Sequence, residues 1–232
     1  TIELGLLLIV VSGNLVVANR RQSMYLAGFT LTLGFLTALI GGQTYFVLAV
    51  LTVLAIKTSY LSWKFRWNAL LAYGMFLTYL THFIWTANNP FFGNPLQFGL
   101  LPQIHLAFIL LYTAIFAAAV LYREKEIPEE FPVIANTAFN ALLGFGLFSL
   151  STFVGTGINV ALWQLVASVL FVVIAVRFWI RERSVYATFI YSILGYTALS
   201  AAIVAQFPMP DFFVWLSWQS VIVVSTAVWF RS

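Results

Sequence analysis

The chain has 232 residues, of which 62% are hydrophobic and only 8% are charged, and its mean hydropathy is +0.98. A soluble domain carries about 25% charged residues, so no water-soluble packing hides this much apolar surface, and the surrounding solvent must be lipid. The net charge of +4 is therefore interpreted as a membrane-topology signal rather than as a sign of nucleic-acid binding. The chain has no cysteine, which excludes disulfides, thiolate metal sites and cysteine nucleophiles.

Nine apolar runs, each about 17–25 residues long with its flanks, follow one another along the chain. They cover residues 2–17, 24–40, 45–60, 69–86, 104–122, 133–154, 160–180, 185–206 and 212–230. The runs are apolar on all sides and lack the strict alternation of β-barrel strands. We predict an all-α fold, a polytopic transmembrane bundle of about nine spanning helices in a single domain, residues 1–232. The start at Thr1 is typical of a processed chain or of a piece of a longer protein.

The connections between the runs alternate between basic or charged segments and segments without cations. With nine spans, all eleven lysines and arginines fall on or near one side of the membrane, and only Glu3 and Asp211 fall on the other. Cytoplasmic loops carry the excess of lysine and arginine. We therefore predict that the N-terminus lies outside and the C-terminus inside. One extra or missing span would break the alternation, so the count and the orientation support each other.

The connection at residues 87–103 is the longest segment that cannot form a spanning helix, because three prolines and two glycines interrupt it. It carries three phenylalanines and no charge. One interpretation is a re-entrant segment, which requires its backbone to be buried in protein or to face water. The other is a surface loop at the level of the lipid headgroups.

The two histidines of the chain, His82 and His105, flank this loop, and the loop has the length to bring them together. One hypothesis makes them axial ligands of a haem or pigment, or polar contacts for a ligand of the loop. The other makes them interfacial imidazoles that hydrogen-bond to backbone or water. The sequence itself requires no cofactor, and we predict no metal site.

Asn136 and Asn140 lie four residues apart on the sixth run, so they share one helix face. Such amides line a transport pathway or hydrogen-bond a neighbouring helix. No carboxylate lies deep inside a run, which disfavours a proton-coupled carrier, and no P-loop, HExxH or GxSxG motif is present. We predict no catalytic residues and no enzymatic activity.

Three segments carry a resemblance to a known family. They are residues 33–40 (LGFLTALI), residues 80–85 (LTHFIW), and residues 204–210 (VAQFPMP) followed by WLSW at 215–218. They resemble the large bacterial membrane family called domain of unknown function 2339, in which a similar stretch ends one span and enters the next with a tryptophan. Here Ala38 replaces the usual proline, and an acidic residue expected soon after Trp218 is absent. The resemblance implies a many-span protein of the inner membrane, usually much longer, with no assigned activity and no catalytic residues to carry over.

These observations favour a multi-pass protein of the bacterial inner (plasma) membrane that is a structural or accessory subunit of a larger membrane complex. Its expected partners are the lipid bilayer and other membrane protein subunits, and nucleic acid is not expected. The first alternative is a transporter or flippase for an uncharged or lipidic envelope substrate, with its site at the Asn136/Asn140 face or at the loop. The second is a membrane enzyme that acts on lipid through His82 or His105.

Overall fold

The computed structural model describes residues 2–121, 130–181 and 184–231, apart from the side chains of residues 2–8, 92 and 231. Within these ranges all regular structure is helical. The α-helices are α1 (Ile2–Arg21), α2 (Met24–Ile40), α3 (Thr44–Phe65), α4 (Asn68–Thr86), α5 (Ile104–Leu121), α6 (Phe131–Val154), α7 (Val160–Arg181), α8 (Val185–Gln206) and α9 (Asp211–Arg231). A short 3-10 turn, Pro90–Phe92, lies between α4 and α5. The prediction of an all-α bundle is confirmed.

Seven of the helices, α3 to α9, are long and apolar enough to cross a membrane. Helix α2 is apolar but shorter, at 17 residues. Helix α1 is 20 residues long, and the side chains of its first seven residues are not among those described. The multi-pass prediction is therefore supported. Two connections used in the charge argument, residues 122–129 and 182–183, lie outside the described residues.

Local signals in the sequence set several helix ends. The hydroxyl of Ser23 accepts a hydrogen bond from the amide of Leu26 at 3.3 Å, and that of Ser184 accepts one from Ala187 at 3.1 Å, so serine caps begin α2 and α8. Helix α3 ends where Arg66 takes a left-handed conformation with φ of 57°.

The chain divides into two compact units, Thr1–Thr156 and Gly157–Ser232, and the structure describes each of them over the ranges given above. The first contains α1 to α6. There α1 packs on α2, α3 packs against α4 and α5, and α6 packs against α4 and α5. Small residues allow the helices to approach closely: a Cβ on Gly34 of α2 would lie 2.9 Å from Leu54 Cδ2 on α3 and 3.3 Å from Val11 Cγ1 on α1.

Two hydrogen bonds show which helix ends of the first unit lie together. Lys64 Nζ donates to Asn19 Oδ1 at 3.0 Å, which joins the C-terminal ends of α1 and α3. Asn89 Nδ2, just after α4, donates to the carbonyl of Leu39 near the end of α2 at 3.1 Å. This pairing agrees with the predicted alternation of the connections. The direction of the bundle relative to the two sides of the membrane stays a prediction.

The second unit is a tight α7–α8 hairpin with α9 against α8. A Cβ on Gly195 of α8 would lie 3.2 Å from the backbone nitrogen of Val172 on α7, so the backbones approach closely here. Gln219 of α9 donates from Nε2 to the carbonyl of Tyr196 on α8 at 2.8 Å. A compact packing unit is not the same as a domain. The two units therefore do not test whether the chain is a single domain, which stays a prediction.

Candidate functional site

The two histidines of the chain form a buried pair. His82 lies in the last turns of α4 and His105 is the second residue of α5, and their exposed fractions are 0% and 3%. His82 Nε2 lies 3.2 Å from His105 Nδ1, which is a hydrogen-bond distance. The structure therefore brings together the two residues that the sequence placed on either side of the loop.

One fully buried ring nitrogen of this pair remains unpaired among the described residues. His82 Nδ1 is buried and has no hydrogen-bond partner among the described residues. If His82 donates from Nε2, its Nδ1 is a bare acceptor. If His105 donates from Nδ1, a neutral His82 carries its proton on Nδ1 and that donor is unpaired. In both tautomers the pair holds a buried polar atom that a hydrogen bond would stabilise.

Protein side chains and backbone fix the position of the pair. The ring of Tyr112 lies edge-on to His82 with centroids 5.7 Å apart, and the Tyr112 hydroxyl donates to the carbonyl of Leu48 at 3.2 Å. Thr86 donates to the carbonyl of His82 at 2.9 Å. These contacts connect the pair to α3 as well as to α4 and α5.

The facing nitrogens lie at a normal hydrogen-bond distance of 3.2 Å. The described part of the chain also contains no group of three or more His, Cys, Asp or Glu residues that could hold a metal. A haem or pigment at His82 and His105 stays a hypothesis, and it would require the two rings to separate.

A second polar cluster joins α4, α5 and α6 in the apolar interior. Tyr79 donates from its hydroxyl to Asn140 Oδ1 at 2.7 Å, and that hydroxyl lies 3.1 Å from Thr113 Oγ1. Asn140 Nδ2 donates to the carbonyl of Thr113 at 2.9 Å. All three side chains are at most 3% exposed. One asparagine thus links three helices through its amide.

Asn136 lies one turn away from Asn140 on the same helix and has a different partner. Its Nδ2 donates to the carbonyl of Asn68, at the start of α4, at 3.1 Å. Both asparagines are buried and both donate to the backbone of a neighbouring helix. This arrangement agrees with the helix–helix alternative for these residues. Their assignment as ligand-binding residues stays a prediction.

The loop at residues 87–103 lies over the ends of neighbouring helices. Asn89 reaches Leu39 at the end of α2, as described above. Gly99, with φ of +82°, accepts a hydrogen bond from Thr156 Oγ1 at 3.3 Å just beyond α6. Phe91 and Leu96 are 77% and 69% exposed. These contacts fit the surface-loop interpretation better than the re-entrant one.

Sequence reasoning missed Tyr79 and Thr113. Each is a hydroxyl-bearing residue inside an apolar run, and buried hydroxyls usually have a hydrogen-bond partner. That signal is weak here because the chain has ten tyrosines and many threonines, and most threonine hydroxyls in helices bond the preceding turn. The sequence spacing of 61 residues between Tyr79 and Asn140 could not show their contact.

Comparison of the chain with protein-family models, with curated proteins and with solved structures finds no match. The resemblance to the domain of unknown function 2339 therefore stays a prediction from the sequence.

Proposed function

We propose that the chain is an accessory subunit of a larger complex in the bacterial inner membrane, with no catalytic activity of its own, and that α9 is its docking helix. The observation that carries the proposal is the exposure of α9. Only 6% of its spanning window is buried, whereas the other six spanning helices are 39% to 61% buried. A helix with so little contact inside its own unit has most of its surface left for a partner.

The exposed surface of α9 includes a face of small and medium side chains at helical spacing, which we call the α9 face. It consists of Ser217, Ser220, Val221, Val224, Ala227 and Val228. Small residues let a second helix approach closely in lipid, where association depends on packing rather than on the hydrophobic effect. The partner that fits this face is a transmembrane helix of another subunit with small residues on its facing side.

The serine hydroxyls of the α9 face expose no unpaired hydrogen-bond donor to the lipid. Ser217 donates to the carbonyl of Phe213 at 2.8 Å, and Ser220 donates to the carbonyl of Ser217 at 2.6 Å. Because each hydroxyl already bonds its own helix, the face tolerates lipid before assembly and can pack against a helix afterwards.

The buried amides favour this proposal over the transport alternative. A transporter would use the Asn136/Asn140 face to contact substrate, but both amides donate to backbone carbonyls of adjacent helices. Polar groups engaged in this way attach helices to each other. An inner-membrane location rests on the family resemblance and on the distribution of lysine and arginine.

A matched pair of substitutions tests the docking role of α9. Val224 on the α9 face is 63% exposed, and Val169 on α7 is 57% exposed in the same unit. We expect the wild-type chain and Val169→Trp to purify in mild detergent with a stoichiometric partner protein, and we expect Val224→Trp to lose it. Native electrophoresis and mass spectrometry of the full chain provide the measurement. A lone wild-type chain, or a complex made only of copies of this chain, would contradict the proposal.

We also propose that the chain crosses the membrane nine times with its N-terminus outside. Gln43, before α3, and Glu130, before α6, are both exposed, and the chain has no cysteine of its own. In intact cells a membrane-impermeant maleimide should label Gln43→Cys, and it should label Glu130→Cys only after permeabilisation. Labelling of both positions from one side contradicts the span count, and the reverse pattern contradicts the orientation.

A further inference from the structure

A groove with a volume of about 410 Å³ runs between α1 and α3 of the first unit. Its walls come from positions 11–19 of α1 and 46–61 of α3, and most of its lining is apolar, with Leu15 and Val50 among the lining residues. Gly34 of α2 approaches both walls, as described above, so α2 lies behind the groove. The lining residues Val16 and Val53 are 53% and 54% exposed, which leaves the outer side open to lipid.

The dimensions of the groove suit an acyl chain. At about 1.5 Å per residue, the α3 wall between residues 46 and 61 is about 22 Å long. The α1 wall between residues 11 and 19 is about 12 Å long, and the depth of one leaflet is about 15 Å, half of the hydrocarbon core. A narrow apolar groove of this length, open along one side, matches a single hydrocarbon chain better than it matches a compact polar solute.

One end of the groove is polar and carries positive charge. Asn19, Lys57 and Tyr60 line it there, and Lys57 is exposed, without a hydrogen-bond or ion-pair partner among the described residues. Lys64 lies seven residues after Lys57 on the same side of α3, and its Nζ is 3.0 Å from Asn19 Oδ1 and 5.7 Å from the centroid of the Tyr60 ring. Among the described residues that line the groove, none is acidic.

Lys57 lies well inside the membrane-spanning helix. It precedes the last residue of α3 by eight positions, which is about 12 Å along the axis. A charge at this depth is costly unless it extends to the interface or meets a counter-charge. The described lining of the groove contains no carboxylate, so a counter-charge that meets Lys57 comes from outside the groove's own side chains.

We propose that this groove binds an anionic phospholipid, with one acyl chain between α1 and α3 and the headgroup phosphate paired with Lys57 and Lys64. Basic pockets between transmembrane helices bind anionic headgroups in this way. A zwitterionic lipid offers the same chain and phosphate, but its own cation lies beside the phosphate and opposes the lysines. The site therefore selects by headgroup charge, while the apolar walls hold the chain.

Native mass spectrometry of the full chain, titrated with phosphatidylglycerol or phosphatidylcholine of identical acyl chains, tests this proposal. We expect wild-type protein to retain phosphatidylglycerol preferentially and Lys57→Gln to reduce that preference about fivefold. The matched control is Arg177→Gln, which removes the same charge from an exposed position near the end of α7. The control should keep the wild-type preference. Equal losses in both variants would show non-specific charge attraction and overturn the proposal.

A second variant tests the groove itself. Ala49 lines the groove and is exposed, so Ala49→Trp fills the channel without entering the core. We expect this variant to retain less of both lipids and to be insensitive to the further change Lys57→Gln. If Ala49→Trp keeps the wild-type preference and its dependence on Lys57, the lipid binds elsewhere and the proposal is wrong.

Discussion

Gly144→Ala is expected to lower the free energy of unfolding by about 3 kcal/mol, which combines overpacking with the loss of buried hydrogen bonds. A Cβ at this position would collide with Thr113 Oγ1 and would lie 3.0 Å from the hydroxyl of Tyr79. Both groups belong to the hydrogen-bonded cluster around Asn140, so the added methyl group must separate α5 and α6 or break the cluster. Reversible unfolding of the full chain in mixed micelles gives the free energy.

Gly146→Ala is the matched control for this prediction. Gly146 lies on the same helix, two residues away, and a Cβ there would have no atom within 4 Å. The control should unfold like the wild type. Thr113→Ala removes the colliding hydroxyl, so the double variant Gly144→Ala/Thr113→Ala should lose less stability than the sum of the two single changes. Equal destabilisation by Gly144→Ala and Gly146→Ala would contradict a specific close approach at Gly144.

The histidine pair gives the second large effect. We expect His82→Leu or His105→Leu alone to lower the free energy of unfolding by about 1–3 kcal/mol, because each leaves a buried imidazole facing an apolar side chain. The double variant should lose clearly less than the sum of the single losses, since neither polar partner remains. A double-mutant cycle on the same unfolding measurement gives the coupling.

The ligand hypothesis for the pair makes a different prediction. A haem, pigment or other ligand that depends on both rings would be lost from each single variant as completely as from the double variant. An absorption spectrum and an intact-mass measurement of the purified wild-type chain would reveal such a group. Additive stability losses in the cycle would show that the two rings do not interact, and would contradict the hydrogen bond at 3.2 Å.

The sequence alone determined the fold class and the location of the helices. In lipid every backbone polar group needs a partner within its own segment, so an apolar run of sufficient length must be helical. The fourth run, residues 69–86, matches α4 (Asn68–Thr86) to within one residue. The third run predicts a helix over 45–60, but α3 continues to Phe65, because Ser62 and Lys64 end the apolar pattern while the backbone hydrogen bonds continue.

The sequence also named the four candidate site residues but could not determine their surroundings. His82, His105, Asn136 and Asn140 are all buried and all hydrogen-bonded, as residues of a site or of a helix contact would be. Helical spacing places Asn136 and Asn140 on one face, but it says nothing of what that face meets. The role of each residue depends on the groups it contacts, and sequence spacing does not show which groups these are.

Three-dimensional packing sets which helix meets which, and so creates the histidine pair, the cluster around Asn140 and the groove beside Lys57. The sequence cannot supply this information, because helices apolar on all sides have no amphipathic stripe to show which face turns inward. In lipid the choice of neighbour depends on shape, on small residues such as Gly144 that permit close approach, and on a few polar groups that find each other across the bundle. The sequence determined that this chain is a bundle of membrane helices, and three-dimensional packing determined where its polar chemistry lies.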